Sequence, residues 1–249
     1  MLSAPQLAVL AVAGFLSGAV NGVVGGGSLI SFPALLAVGY SPVAANVTSA
    51  LTTLPGYAGG LVGYRDELGA IRGRLMRLAA VTVAGAACGS ALLLAVPAKR
   101  FTSVVPFLVL ASVIAMALQG VLARRLVRAR ESGGGRGLFV AQFVVSAYGG
   151  YFAAGLGVMM LAALGAFVAE DLHRLNALKS ALSLVVGLVS ALCFAVFGPV
   201  QWGPVAIMSV AGLAGGRSGV VLARRVPSHH LRRLVVAIGL VLSAAFFLR

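Results

Sequence analysis

The chain has 249 residues, of which 60% are hydrophobic and 10% are charged, and its mean hydropathy is +1.05. A soluble globule of this size cannot bury that much apolar surface, so the composition predicts a polytopic membrane protein. The net charge of +14 does not indicate a nucleic-acid partner, because the basic residues lie in short clusters between apolar runs, as they do in the loops of membrane proteins.

Ten apolar segments follow one another along the chain, at residues 5–24, 28–38, 43–64, 76–96, 101–123, 137–150, 156–168, 175–197, 203–222 and 232–248. Seven of them are long enough to cross a hydrocarbon core about 30 Å thick. The segments at 28–38, 137–150 and 156–168 are too short at about 1.5 Å per residue, and we expect half-helices there. The N-terminus lacks a basic region before its apolar run, so we expect residues 5–24 to remain in the mature protein.

Three consecutive glycines, Gly25, Gly26 and Gly27, follow the first segment. Each costs roughly 1 kcal/mol relative to alanine inside a helix, so we expect the helix to break here and to restart near Ser28. In hydrocarbon, a break is tolerated only where the freed backbone groups are buried in protein or line a wet cavity. The restarted helix would present unpaired N–H groups and the positive end of its dipole, which together with Asn21 favours an anion site.

A second glycine-rich interruption, at residues 149–157, resembles the first and lies about 128 positions later. Asn176 echoes Asn46 at a similar offset, and further glycine and proline motifs recur in the same order. The sequence therefore predicts an internal duplication, with repeats at 1–123 and 137–249. Each repeat would be a glycine-broken, re-entrant hairpin followed by three transmembrane helices, and a basic linker at 124–136 would join them.

The distribution of basic residues predicts the topology of this all-α integral membrane protein. If each broken element returns to its own side, fifteen basic residues collect on one face and three on the other, whereas a single crossing would give ten and eight. The positive-inside rule favours the first arrangement, with the linker in the cytoplasm and both termini outside. Each repeat then crosses an odd number of times, so the halves are inverted, which is a transporter architecture.

No catalytic constellation is visible in the sequence, and we expect no enzyme activity. Neither a metal nor a cofactor is predicted, because Cys88 and Cys193 lie in apolar segments without metal-ligand spacing. No cation site or proton relay is indicated, because the acidic residues all fall in predicted loops. These acidic residues are Asp66, Glu67, Glu131, Glu170 and Asp171.

Lys179 and Arg217 are predicted to lie within spans, where an uncompensated cation costs on the order of 3 kcal/mol on insertion scales. An anionic substrate is one candidate partner for them; the alternatives are that Lys179 snorkels to the cytoplasmic face and that Arg217 caps carbonyl groups near a helix end. The hydroxyl groups after Asn46 face either a substrate or a neighbouring helix. The candidate substrate-binding residues are Asn21, Gly25, Gly26, Gly27, Ser28, Asn46, Thr48, Ser49, Gly155, Gly157, Asn176, Lys179 and Arg217.

The stretch from Gly18 to Ser49, with its Asn-Gly-Val-Val-Gly-Gly-Gly-Ser core, resembles the first-repeat signature of the TauE/SafE family of sulfite and organosulfonate permeases. The second half, with its interrupted segment, Asn176, Lys179 and the motif at 198–203, resembles that family's second repeat. The resemblance covers nearly the whole chain. It implies a bacterial inner-membrane permease for small sulfur-containing anions such as sulfite, sulfoacetate or thiosulfate.

The leading hypothesis is a secondary transporter that works by alternating access between inverted halves. The alternatives are a non-transporting accessory or assembly subunit and an anion channel. Broken helices with polar residues favour transport over the accessory role, and flux kinetics would separate a carrier from a channel. The expected partners are a small anion and the lipid bilayer, and the sequence leaves open a homo-oligomer, the direction of transport and the coupling ion.

Overall fold

A computed structural model describes residues 2–23, 26–62, 64–128, 135–223 and 236–237, and it describes only the backbone at 22, 23, 60, 65, 119–128, 172 and 219–223. This part of the chain is all helical, as the composition predicts. The described residues form nine α-helices, and a 3-10 turn at Arg65–Glu67 precedes the fourth. The helices are α1 (Ala4–Val23), α2 (Ser28–Ala37), α3 (Pro42–Val62), α4 (Leu68–Ala95), α5 (Ala98–Arg128), α6 (Gly135–Tyr151), α7 (Leu156–Phe167), α8 (Leu172–Phe197) and α9 (Trp202–Ala223).

The helix ends agree with the first nine apolar segments to within three residues, with two exceptions. Helix α4 begins at Leu68, before its apolar segment, and α5 continues to Arg128, beyond its segment. Both extensions contain arginines, which are excluded from a hydrocarbon core but are good helix formers. The end of α5 and the start of α6 therefore both fall inside the predicted linker at 124–136. Gly25 and most of the tenth segment lie outside the described residues, although residues 236–237 are helical.

Helix lengths separate membrane spans from half-helices. In the described ranges, four helices are long and apolar enough to cross a membrane, within Ala4–Asn21, Leu68–Ala95, Ala98–Leu118 and His173–Phe197. Helices α2 and α7 are apolar but have only 10 and 12 residues, about 15 and 18 Å of helix. Neither can cross a core about 30 Å thick, which confirms the prediction of half-helices at 28–38 and 156–168.

Each half-helix folds back along the helix before it. Gln6 Nε2, in the first turn of α1, donates a hydrogen bond to the carbonyl oxygen of Val38, just after α2, at 3.2 Å. A Cβ added to Gly137, near the start of α6, would lie 2.8 Å from the ring of Phe167 at the end of α7. Both elements are therefore hairpins that return toward the side on which they began.

Small residues allow the hairpins to pack closely against long helices. Helix α1 packs against α9, where a Cβ on Gly18 would collide with the carbonyl group of Gly212. Helix α6 packs against α4 in a similar way, where a Cβ on Gly89 would collide with the carbonyl group of Ala147. Interfaces of this kind stabilise helix pairs in membranes, since lipid leaves little hydrophobic driving force between helices.

Candidate functional site

The first helix break lies between α1 and α2, and a side chain of α1 holds it. Asn21 Oδ1 accepts hydrogen bonds from the backbone N–H groups of Gly26 at 3.0 Å and of Gly27 at 2.8 Å. Gly26 has a φ of +122°, which residues with a Cβ rarely adopt, and a Cβ there would collide with the Met116 methyl group of α5. The prediction of unpaired N–H groups at this point is wrong for both glycines, because the Asn21 side chain reaches back to them.

One polar group of Asn21 is left without a partner. The residue is only 8% exposed, and within the described chain its Nδ2 has no hydrogen-bond acceptor. Nδ2 lies against Gly56 of α3, where an added Cβ would be 3.2 Å from it. A buried donor of this kind costs free energy, so an acceptor such as an anion oxygen at this position would be stabilising.

The second helix break joins α6 to α7, and its carbonyl groups are held by side chains of α5 and α6. The Ala154 carbonyl oxygen accepts hydrogen bonds from the Tyr148 hydroxyl at 2.7 Å and from Ser112 Oγ at 3.0 Å. Gly155 follows with a φ of +72°, in the left-handed region, and α7 begins after it. Ser112 lies one helical turn before Met116, so neighbouring turns of α5 contact both breaks.

Ser112, Tyr148 and Met116 were not identified as site residues from the sequence. The available signals were a serine in the apolar middle of α5 and a tyrosine directly before the Gly149–Gly150 pair. Neither pattern indicates a partner more than 30 positions away in the chain.

The two breaks contact each other directly. Ser28 Oγ, in the first turn of α2, donates to the carbonyl oxygen of Ala153 at 3.2 Å. Asn46 Nδ2 of α3 donates to the carbonyl oxygen of Tyr151 at 2.9 Å, and so caps the end of α6, where helix carbonyl groups lack partners. The structure thus brings together six predicted site residues from separate parts of the chain: Asn21, Gly26, Gly27, Ser28, Asn46 and Gly155.

Thr48 and Ser49 of α3 form hydrogen bonds to other segments, whereas Thr52 and Thr53 donate to carbonyl groups of α3 itself. Ser49 shares a hydrogen bond of 2.6 Å with Ser31 of α2. Thr48 Oγ1 accepts the backbone N–H of Gln201, in the turn between α8 and α9, at 3.1 Å. Of the two roles that the sequence leaves open for Thr48 and Ser49, the observed contacts agree with interhelical bonding.

Lys179 is a buried cation in α8. The residue is 8% exposed, and its Nζ donates to Asn176 Oδ1 at 3.1 Å. Among the described residues, no carboxylate lies within ion-pair distance of it. An ammonium group has three donors, so the one hydrogen bond found among the described residues does not satisfy it. Enclosure of the side chain by protein disfavours snorkelling.

The remaining predicted residues take no part in the contacts between the two breaks, or lie outside the described residues. Gly157 is buried in the first turn of α7. Arg217 is exposed on α9. Gly25 is not among the described residues.

A cluster of charged side chains links the turns that precede α4 and α8. Arg74 Nη1 lies 2.8 Å from Glu170 Oε1, and the Arg174 side chain lies 3.2 Å from Glu170, 3.4 Å from Asp171 and 3.6 Å from Glu67. Asp171 also caps α8 by accepting backbone N–H groups of its first turn. Hydrogen bonds from Arg74 and Arg174 lower the pKa of Glu170.

We expect Glu170→Gln to destabilise the protein at neutral pH by about 0.5 to 1 kcal/mol, because the pairs are partly exposed. The lowered pKa means that the ion pairs stabilise the folded state above the ordinary carboxyl value of 4.5 and that this contribution is lost as the pH falls below it. Thermal unfolding in detergent between pH 3 and 7 should therefore show a shallower pH dependence in the variant. Asp171, whose pKa is also lowered by hydrogen bonds from the first turn of α8, would contribute to the slope that remains. Identical profiles would contradict this role for Glu170.

A family model described as "Sulfite exporter TauE/SafE" matches residues 10–246 of the chain. The chain belongs to the TauE/SafE family. This confirms the resemblance inferred from the glycine-rich first repeat. Members of this family are membrane transporters rather than enzymes, so the TauE/SafE chain is a multi-pass membrane transporter, and the prediction that it is not an enzyme is confirmed.

Curated relatives from Escherichia coli and Haemophilus influenzae cover almost the full length of this TauE/SafE chain. It is 26% identical over 245 residues to "Probable membrane transporter protein YfcA" of Escherichia coli K12, across 98% of the chain and 90% of the relative. It is 26% identical over 239 residues to "Probable membrane transporter protein" of Haemophilus influenzae, across 96% and 93%. It is also 31% identical over 105 residues to "Probable membrane transporter protein ORF9" of a Sinorhizobium species, a shorter match that covers 42% of the chain and 40% of the relative. No solved structure matches significantly.

Proposed function

We propose that this TauE/SafE member is a secondary transporter for small sulfur-containing anions, such as sulfite, organosulfonates or thiosulfate, in the inner membrane of a bacterium. The observation that carries the proposal is that two helix breaks meet inside the bundle, through Ser28 and Ala153 and through Asn46 and Tyr151. Discontinuous helices that meet in this way are typical of substrate sites in transporters. The description of the family as sulfite exporters supports a sulfur oxyanion as the substrate.

Lys179 would supply the fixed positive charge for that anion. On α8, Val186 lies seven residues after Lys179, two turns along the same face. A Cβ on Gly149, in the last turn of α6, would lie 2.9 Å from Val186. Lys179 therefore faces the helices that carry the breaks. Among the described residues its ammonium has donors to spare, and Asn21 Nδ2 is a further donor without an acceptor there.

Contacts at the two ends of the bundle support alternating access between inverted halves. The Arg74–Glu170 pair joins the start of α4 to the turn after α7, where the second hairpin opens. Thr48, in the first half of α3, accepts a hydrogen bond from the turn before α9. Helix α3 begins at the end of the bundle where the first hairpin opens. The hairpins would thus enter from opposite faces, with residues 1–123 and 137–249 as inverted repeats and the intervening residues in the cytoplasm.

This topology predicts opposite labelling of two exposed positions, Gly69 in α4 and Lys99 in α5. On a background in which Cys88 and Cys193 are replaced by serine, an impermeant maleimide should modify the Lys99→Cys variant in intact cells. The Gly69→Cys variant should react only after permeabilisation, because it lies with the basic residues on the cytoplasmic face. The reverse pattern would contradict the proposed orientation.

Counterflow in proteoliposomes tests the proposed function. Vesicles loaded with unlabelled sulfite should accumulate labelled sulfite above its external concentration, because a carrier exchanges one anion for another. Parallel loading with thiosulfate, sulfoacetate and acetate would define the substrate class. Flux without counterflow would indicate a channel, and the absence of flux for every sulfur anion would favour an accessory subunit.

A further inference from the structure

A second set of buried polar side chains lies between α4, α6 and α8, away from the two breaks. Gln142 of α6 is fully buried, and its Nε2 donates to Thr82 Oγ1 of α4 at 2.8 Å and to Ser146 Oγ at 3.1 Å. Thr82 donates its single proton to the Leu78 carbonyl oxygen at 2.8 Å, so only an N–H can approach its oxygen, which fixes the orientation of the amide. Nowhere in the described ranges does Gln142 Oε1 find a hydrogen-bond donor.

Ser183 of α8 is another buried polar side chain of this set. It is 1% exposed, and its Oγ has no hydrogen-bond partner in the part of the chain that the structure describes. Lys179 precedes it by one turn, so the two residues share a face of α8. Val186 and Ser190 continue that face, and Ser190 accepts a hydrogen bond of 3.2 Å from Ser90 of α4. The face that carries Lys179 and Ser183 is therefore directed at α4 and α6.

Lys179 and Gln142 lie at the same depth in neighbouring helices. Helices α6 and α8 begin on the same side, because the first turn of α6 lies against the end of α7 and α8 starts five residues later. Gln142 precedes Gly149 by seven residues, and Lys179 precedes Val186 by seven, which is two turns in each helix. The contact between Gly149 and Val186 thus places Lys179 opposite Gln142.

We propose that Gln142 Oε1 and Ser183 Oγ form a second hydrogen-bonding position for the Lys179 ammonium, which it occupies while the empty carrier reorients. In the present structure Nζ donates to Asn176 instead. The inference rests on the proposed function: after the anion leaves, the bare ammonium remains inside the membrane, where an unpaired charge is costly. Two buried acceptors without partners would then replace the hydrogen bonds of the anion. Anion exchange omits this step, since an anion is bound in both directions.

The test compares net sulfite efflux with sulfite exchange in the same proteoliposomes. In Gln142→Leu, net efflux into anion-free buffer should fall about tenfold, while exchange should stay within about twofold of the parent. Ser183→Ala should lower net efflux selectively but less, because one acceptor remains. Ser190→Ala is the matched control, because it is the same substitution on the same face of α8 but removes a hydroxyl that already has a partner. In this variant, net efflux and exchange should change by the same factor.

An equal fall in both rates in Gln142→Leu and Ser183→Ala would overturn the proposal, since it would assign the two side chains a structural role only. Unchanged net efflux in both variants would overturn it as well. If Gln142→Leu does not assemble, the ratio of net efflux to exchange in Ser183→Ala, compared with that ratio in Ser190→Ala, decides between the two roles. Absence of exchange in the parent protein would refute the proposed transport function, and this inference with it.

Discussion

Anion transport is expected to be lost in Gly26→Leu. The φ of +122° at Gly26 is accessible to glycine and strained for leucine, and the new side chain would start in the space of the Met116 methyl group. The break would have to rearrange, and with it the two N–H groups that Asn21 holds. Counterflow of sulfite should fall to the level of empty vesicles.

Gly203→Leu is the matched control for this experiment. Gly203 lies in the first turn of α9, and a Cβ there would meet no atom within 4 Å. We expect it to transport like the parent at equal amounts of reconstituted protein, which would separate the break from the general effect of leucine in a membrane helix. Unchanged counterflow in Gly26→Leu would mean that the break contributes packing alone.

Binding of sulfite is expected to weaken at least about tenfold in Lys179→Gln, a loss of about 1.4 kcal/mol or more. The reason is that Lys179 is a buried ammonium with one neutral partner and, among the described side chains, no carboxylate. Lys179→Arg should keep part of the affinity, since the charge survives but the guanidinium is larger and planar. Isothermal titration of the detergent-solubilised protein measures both.

Lys99→Gln supplies the control, because Lys99 is the other lysine of the chain and is exposed at the start of α5. Removing its charge should leave binding within about twofold, which would exclude a general effect of net charge. If the Lys179→Gln variant also bound sulfite within about twofold of the parent, Lys179 would have no role in binding.

The parts of this fold that the sequence predicts are those that local chemistry determines. The break before Ser28 follows from three glycines in a row, and the half-helices follow from apolar runs too short for a bilayer. The Asn21 cap was missed, although it is also local, because the dipole argument considered the backbone of α2 without the side chains before it. The contact of Ser112 with the Ala154 carbonyl could not be predicted, since it depends on how α5 packs against a break that lies some 40 residues later in the chain.

Helix α5 contacts both breaks from adjacent turns, through Ser112 and Met116, about 6 Å apart along its axis. A rotation or an axial shift of α5 would therefore displace the Ala154 carbonyl and the Gly26 backbone together. The two interruptions cannot change conformation independently while these contacts persist. In a double-mutant cycle, the changes in the free energy of unfolding caused by substitutions at Gly26 and at Gly155 should consequently be non-additive. These two residues are far apart in the chain and belong to different hairpins.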